Sequence, residues 1–382
     1  MSIDIKSIEK SPMFQLSLGS KELFHSNFLY WLWKAEEDAF WKIMESFGIR
    51  ISDKGSLDVK REWEHLDLSI VHLSENKKID DVIAVIENKV KSIPRKEQLE
   101  EYRNKINKID KVNGCKKILL TLAEPDFEDV DGWDKCTYEQ YKKIVIGIIT
   151  DKSIIHNEYS RSIITDYCNM IDSLVSFKNE WLCNDFSNMK YWEIIDDYSY
   201  NELRINDLRH KIIYSKIFSV LKEKLECHNP ITGGYTTKDI FEKDYALAIG
   251  YGMTNASGFA EVKVKINEDY LLGIQIQGKQ YRHFVEFSDN SNIKKYERDE
   301  LQELFDNNRT FTIHNKRICS YRNDGKEMKF QYVYRKIEDN ETVNNVIKVI
   351  VADVEFLIDK YQKNTRSTIT SNKNRIFAPE TI

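Results

Sequence analysis

Between Val82 and Val90 the chain reads VIAVIENKV, with apolar residues at consecutive positions until Glu87, Asn88 and Lys89 interrupt them. A strand with one solvated face alternates. A strand that is apolar on both faces is covered on both sides and sits centrally in its sheet. Pro94 then suits the first turn of a helix, predicted to run to about Ile109. Ahead of the run, Leu57–Trp63 reads as a strand. Leu66–Leu73 alternates, with Leu66, Leu68 and Ile70 on one face and Asp67, Ser69 and Val71 on the other. Ser74–Lys77 makes the turn from Leu66–Leu73 into the apolar run. An opening helix is predicted from a Ser20 cap to about Phe47, closed by Gly48, and a further strand over Lys117–Leu122. The order helix, three strands, helix, strand predicts an α/β fold: a small mixed central sheet flanked by helices.

Past that core, Tyr138–Ile149 reads ambiguously as helix running into strand, and Asn157–Leu182 as a long helix. The polar stretch Asn184–Asn188 marks a boundary. Residues 1–185 are therefore assigned to the first domain, 186–365 to an α+β C-terminal domain and 366–382 to a polar tail. The second domain opens with a helix near 201–226. Strands follow over Tyr245–Tyr251, Phe259–Ile266, Tyr270–Ile276 and Tyr281–Phe287. Lys316–Tyr321 and Lys329–Tyr334 form a hairpin around Asn323-Asp324-Gly325, and a closing helix spans Val343–Gln362. Lys279-Gln280-Tyr281-Arg282-His283 mixes basic and aromatic groups and is expected on an exposed hairpin. Tyr191 and Trp192 are expected in the core.

The 382 residues, 41% of them hydrophobic, suffice for two ordinary cores. No apolar run approaches the roughly 20 residues that span a bilayer, and the N-terminus has no apolar signal segment. The six cysteines are scattered without metal-ligand spacing, and Cys227-His228 is read as chance adjacency. These features lead us to expect a cytoplasmic protein with no membrane contact. A net charge of −5 excludes a wholly basic nucleic-acid binder, yet local basic patches still bind phosphate. There is no phosphate-binding P-loop sequence and no Ser/His/Asp arrangement.

Glu87 and Lys89 are two apart on a strand and project from one face. The spacing alone selects nothing, because Glu75/Lys77, Glu261/Lys263 and Glu327/Lys329 share it. Context selects. Charges that emerge from a buried strand must be paired or bind something. Glu75/Lys77 fall in a turn and Glu327/Lys329 beside one, whereas Glu261/Lys263 lie in a strand and are the rival. A metal site needs a second carboxylate. Asp81 lies six extended residues from Glu87, roughly 20 Å away. Asp67, on the preceding strand, can reach it, although mirror counting about Ser74–Lys77 does not set the two opposite and requires a bulge. Asp67, Glu87 and the carbonyl of Asn88 would hold Mg2+ or Mn2+ through hard oxygens, with Lys89 orienting or deprotonating the attacking water or neutralising the phosphate.

The arrangement resembles the PD-(D/E)xK nuclease superfamily, and in particular its RecB-like branch, over roughly residues 20–180. That branch carries Gln-x-x-x-Tyr on the helix after the Glu-x-Lys strand, matched here by Gln98 and Tyr102, which share a helix face. KELFHSNFLYWLW is similar to the family's opening helix, and by that resemblance Glu22 is an auxiliary metal ligand with Ser26 packed nearby. Leu66 stands where the family's proline precedes the first aspartate, and the family's histidine after the opening helix is absent. The resemblance implies a restriction-endonuclease-like sheet. It also implies a divalent-metal-dependent nuclease acting on nucleic acid, DNA first, in defence against foreign nucleic acid. Lys91, Arg95, Lys96, Arg103 and Lys105 would contact phosphates, and the C-terminal domain would mediate oligomerisation or partner binding. Two other expectations compete: an inactive nuclease fold used for binding or assembly, and an effector-gated sensor.

Overall fold

The computed structural model describes residues 12–17, 22–51, 54–90, 94, 96–110, 114–125, 132–195, 205–233, 235–254, 257–289, 291–305, 312–321 and 329–363. The chain forms two compact units. One comprises Met1–Asn184 with Ser199–Ile212, the other Asp185–Tyr198 with Ile213–Ile382. Among the described residues no helix is long and apolar enough to cross a membrane.

In the first unit the opening helix is two helices, α1 (Glu22–Ala35) and α2 (Glu37–Ser46). The single helix predicted from Ser20 to Phe47 breaks at Glu36, whose φ of −140° is not helical. The break separates two apolar faces: His25, Phe28, Leu29 and Leu32 on α1, then Ala39, Phe40, Trp41, Ile43 and Met44 on α2. Five strands follow in spatial order β1 (Leu57–Trp63), β2 (Leu66–Leu73), β3 (Ile79–Lys89), β4 (Lys116–Thr121) and β5 (Asp134–Thr137). β1, β2 and β3 are antiparallel; β3, β4 and β5 are parallel. β3 is thus the central strand its composition predicts, and it is buried almost throughout its C-terminal half.

Helix α3 (Lys96–Ile106) lies on one face of this mixed sheet. Its Leu99, Tyr102 and Ile106 form one core with Val85 of β3 and Leu119 of β4. The ambiguous stretch resolves into β5 followed by α4 (Tyr138–Thr150). Thr137 caps α4 in a reciprocal box with Gln140. The long helix α5 (Glu158–Cys183) packs against α4. Its Tyr167 stacks on Phe28 of α1, with ring centroids 3.5 Å apart.

In the second unit, after α6 (Asn206–Lys224), seven strands form a sheet. They are β6 (Ile231–Thr232), β7 (Leu247–Thr254), β8 (Ser257–Lys265), β9 (Tyr270–Gln277), β10 (Gln280–Phe287), β11 (Cys319–Tyr321) and β12 (Phe330–Lys336), in the order β11-β12-β10-β9-β8-β7-β6. All neighbours are antiparallel except β6 and β7. Two more helices belong to this unit, α7 (Arg298–Glu303) and α8 (Val343–Leu357). The turn predicted at Asn323-Asp324-Gly325 lies outside the described residues. Tyr281, Arg282 and His283 are not on an exposed hairpin but buried, at 0%, 7% and 3% exposure. β10 is paired on both edges, by β9 and β12, and Asp353 of α8 and Gln302 of α7 reach over its Tyr281 and His283.

Candidate active site

Two irregularities in the β2–β3 ladder bring the acidic groups together. Leu73 pairs with Ile79, His72 with Asp81, and Ile70 with Ala84. Asp80 and Ile83 are the two extra residues on β3, each a bulge that advances the register by one. With Leu68 opposite Ile86, the continuing register sets Asp67 across from Glu87. The backbone N–H of Asn88 donates to Asp67 Oδ2 at 2.7 Å. The shift that mirror counting required is therefore present.

Glu87 is 1% exposed. Lys89 Nζ donates to its Oε1 at 2.7 Å, while its buried Oε2 has no hydrogen-bond partner. Burial foremost, and then the facing Asp67 carboxylate, push the Glu87 acid up to about 7. Burial likewise raises Asp67 to about 6, against the Asn88 N–H and Lys89, which pull it down; Glu22 and Glu62 add repulsion. Burial works against the Lys89 ammonium. Glu87 beside it, together with Asp67 and Glu22, outweighs that and holds its pKa above the ordinary lysine value.

The neighbouring candidates divide. Gln98 Nε2 donates to the Tyr102 hydroxyl at 2.8 Å. Burial and the Glu87 charge push the Tyr102 phenol up, so it remains a neutral hydroxyl beside the carboxylates. Glu22, at the start of α1, acts electrostatically on both Asp67 and Lys89. Asn88 points its side chain to the other side of the sheet. Its Nδ2 donates to Ser26 Oγ at 2.8 Å and its Oδ1 accepts from Tyr138 at 3.3 Å. What Asn88 could offer a metal is its carbonyl oxygen. Ser26, fully buried, ties α1 to β3 and does not contact Glu22 through that bond. Lys91 and Arg95 lie outside the described residues. Lys105 lies over the Tyr102 ring, 5.7 Å from its centroid.

Glu62 was not singled out from the sequence. Trp63 pairs with Leu66 and Arg61 with Leu68, so Glu62 faces Asp67 across the β1–β2 hairpin. Counting back from Glu64-His65 would have found it. Beside it a cleft of about 530 Å³ runs between α1 and β1, lined by Asn27, Tyr30, Lys34, Lys60, Arg61 and Glu62. The Arg61 guanidinium covers the Tyr30 ring at 4.1 Å.

The rival pair dissolves into an internal ion cluster. Lys263 lies 3.2 Å from Glu261 and 2.9 Å from Glu286, and Gln275 donates to Glu261. Elsewhere in the second unit Cys227, His228 and Glu355 place their ligand-type atoms within 4.8 Å of one another. Cys227 is exposed, and His228 is already bonded to Glu355 at 2.8 Å.

The first-unit site suits a hard divalent cation. A buried carboxylate, Glu87, and a half-buried one, Asp67, face one another from adjacent strands, and one Glu87 oxygen is left without a partner. Comparison with curated proteins and with solved structures gives no match. Residues 13–169 match the family model of the PD-(D/E)XK nuclease superfamily.

Proposed function

We propose that the chain is a divalent-metal-dependent nuclease that hydrolyses phosphodiester bonds, with DNA as its substrate and defence against foreign nucleic acid as its role. The observation that carries this reading is the pair of half-buried Asp67 and buried Glu87, facing across adjacent strands with Glu87 Oε2 unpartnered and Lys89 alongside. Asp67, Glu87, the Asn88 carbonyl and Glu22 would hold Mg2+ or Mn2+, which when bound lowers the pKa of a water and neutralises charge on the scissile phosphate. Lys89 keeps its proton at neutral pH, so it acts as a fixed cation and donor toward a phosphate oxygen rather than as the base. Gln98 and Tyr102 present a neutral donor beside the carboxylates, which supports the RecB-like reading of Gln-x-x-x-Tyr. The cleft with Lys34, Arg61 and Tyr30 offers cations and an aromatic face to a strand entering the site. The two units would divide labour, cutting in the first and substrate choice or partner binding in the second.

The purified chain should nick or degrade plasmid or single-stranded DNA when Mg2+ or Mn2+ is added. Glu87→Gln and Lys89→Ala should each lower the rate by about two to three orders of magnitude, the range seen when one electrostatic contributor to such a site is lost. Native circular dichroism should be retained in both. A wild-type chain that cuts neither DNA nor RNA and binds neither metal would sink the reading.

A further inference from the structure

The second unit holds a cavity of about 620 Å³ that the nuclease chemistry does not use. Its size is typical of pockets that enclose a small organic ligand. One wall carries His283 of β10, and Tyr281 projects from the same face of that strand behind the lining. The Tyr281 hydroxyl donates to Asp353 Oδ2 at 2.6 Å, and His283 Nε2 lies 3.3 Å from the same oxygen. His283 Nδ1 lies 3.1 Å from Gln302 Oε1. The chain of bonds thus links the sheet to Asp353 on α8 and Gln302 on α7. It fixes the imidazole plane. Phe305 stacks flat on that plane, with centroids 4.3 Å apart and an 8° tilt.

The charges around this wall are sorted. Arg335 is satisfied by a two-pronged pair with Glu341, both bonds 2.8 Å, and its guanidinium covers the Tyr281 ring. Lys336, Lys348 and Glu338 stand exposed in the lining, and among the described residues neither lysine forms an ion pair. The cavity therefore combines the edge of the stacked His283–Phe305 pair, polar atoms fixed in one network, and two unpaired ammonium groups that share the lining with Glu338. A flat ring with hydrogen-bonding edges joined to a phosphate matches all three features. The stacked pair takes the ring, the polar atoms its edge, and the lysines the phosphate.

We propose that this cavity binds a nucleotide, a nucleobase carrying a phosphate, either free or as the terminal residue of a strand. The site is separate from the Asp67–Glu87 pair and does not depend on the nuclease reading.

Isothermal titration calorimetry on the full chain in metal-free buffer tests the proposal, using adenosine and guanosine 5′-monophosphate and a short single-stranded oligonucleotide as probes. At least one probe should bind. Lys336→Glu and Lys348→Glu should each weaken it by about tenfold or more, as expected for reversing a charge that faces a phosphate. Lys348→Arg should stay close to native, and Glu87→Gln should bind as the native chain does. Binding of the mononucleotides assigns a free ligand, and binding of the oligonucleotide alone assigns a strand end. The assignment is overturned if no probe binds or if the charge-reversal variants bind unchanged. It is also overturned if Glu87→Gln abolishes binding, since the probe would then occupy the nuclease site. Failure of the chain to cut DNA leaves these outcomes intact.

Discussion

Glu87 keeps one oxygen on Lys89 and buries the other without a partner, while Asp67 faces it. Burial foremost makes both carboxylates resist ionising, and for Glu87 the facing Asp67 adds to it, with a consequence for pH. In the unfolded chain they would titrate near their ordinary values of 3.8 and 4.5; folded, they rise to about 6 and about 7. Between those limits the folded chain binds protons that the unfolded chain has released. Stability of the metal-free protein from this pair is therefore greatest at acid pH and declines as pH climbs from about 4 to about 7. A divalent cation favours the ionised forms and reverses the penalty. Thermal melts should show a clear Mn2+-induced rise in melting temperature at pH 8 and a much smaller one at pH 5.5. Glu87→Gln, whose neutral amide stands in for the protonated acid, should melt above the native chain at pH 8 without metal and gain little when metal is added. An equal gain at both pH values, or a Glu87→Gln chain less stable than native at pH 8, would contradict this account.

At the scale of elements, the β1–β2 hairpin and the bulged β3 set the register on which the site depends. Trp63 pairs with Leu66, leaving Glu64 and His65 as a two-residue loop with φ of 55° and 66°; Glu62 before it has φ 52°. Such loops ordinarily use Asn-Gly, because other residues strain in the left-handed region. Here Glu64 and His65 accept that strain next to Asp67. Glu64→Asn with His65→Gly should stabilise the fold by about 1 kcal/mol or more; a urea midpoint that stays put or falls would show that the loop is not strained. The same elements show what a sequence carries and what it does not. The VIAVIENKV run identified the central strand and, by its apolar context, chose Glu87/Lys89 over equally spaced decoys. The bulges at Asp80 and Ile83 left no mark, because both residues suit a regular strand and only pairing with β2 makes them surplus. Glu62 was hidden for a related reason: its significance lies in the residue opposite, not in its neighbours. The break at Glu36 was hidden by helical spacing that continues on either side of it.

Over the whole molecule the charge is negative, at −5, so nucleic-acid affinity cannot come from a general positive field. On the proposed nuclease reading it comes from a few placed cations. In the first unit the cleft beside Glu62 supplies Lys34, which lies 3.7 Å from the Trp33 ring centroid, and Arg61 on Tyr30. Lys60 in the same cleft is held by Asp58 at 2.5 Å and is less available to a phosphate. A strand lying there would displace few counterions, so binding should depend only modestly on salt. Each phosphate contact on a single strand contributes about 0.7 to the slope of log affinity against log salt, so losing two should reduce that slope by about 1.4. Fluorescence anisotropy of a labelled single-stranded oligonucleotide, in a Glu87→Gln background that prevents cutting, measures it directly. Lys34→Gln with Arg61→Gln should flatten the slope by that amount, while Lys60→Gln should change it less. A slope that is steep in the parent and unmoved by the pair would place the strand on a different face of the chain, because the salt dependence counts phosphates wherever they are held.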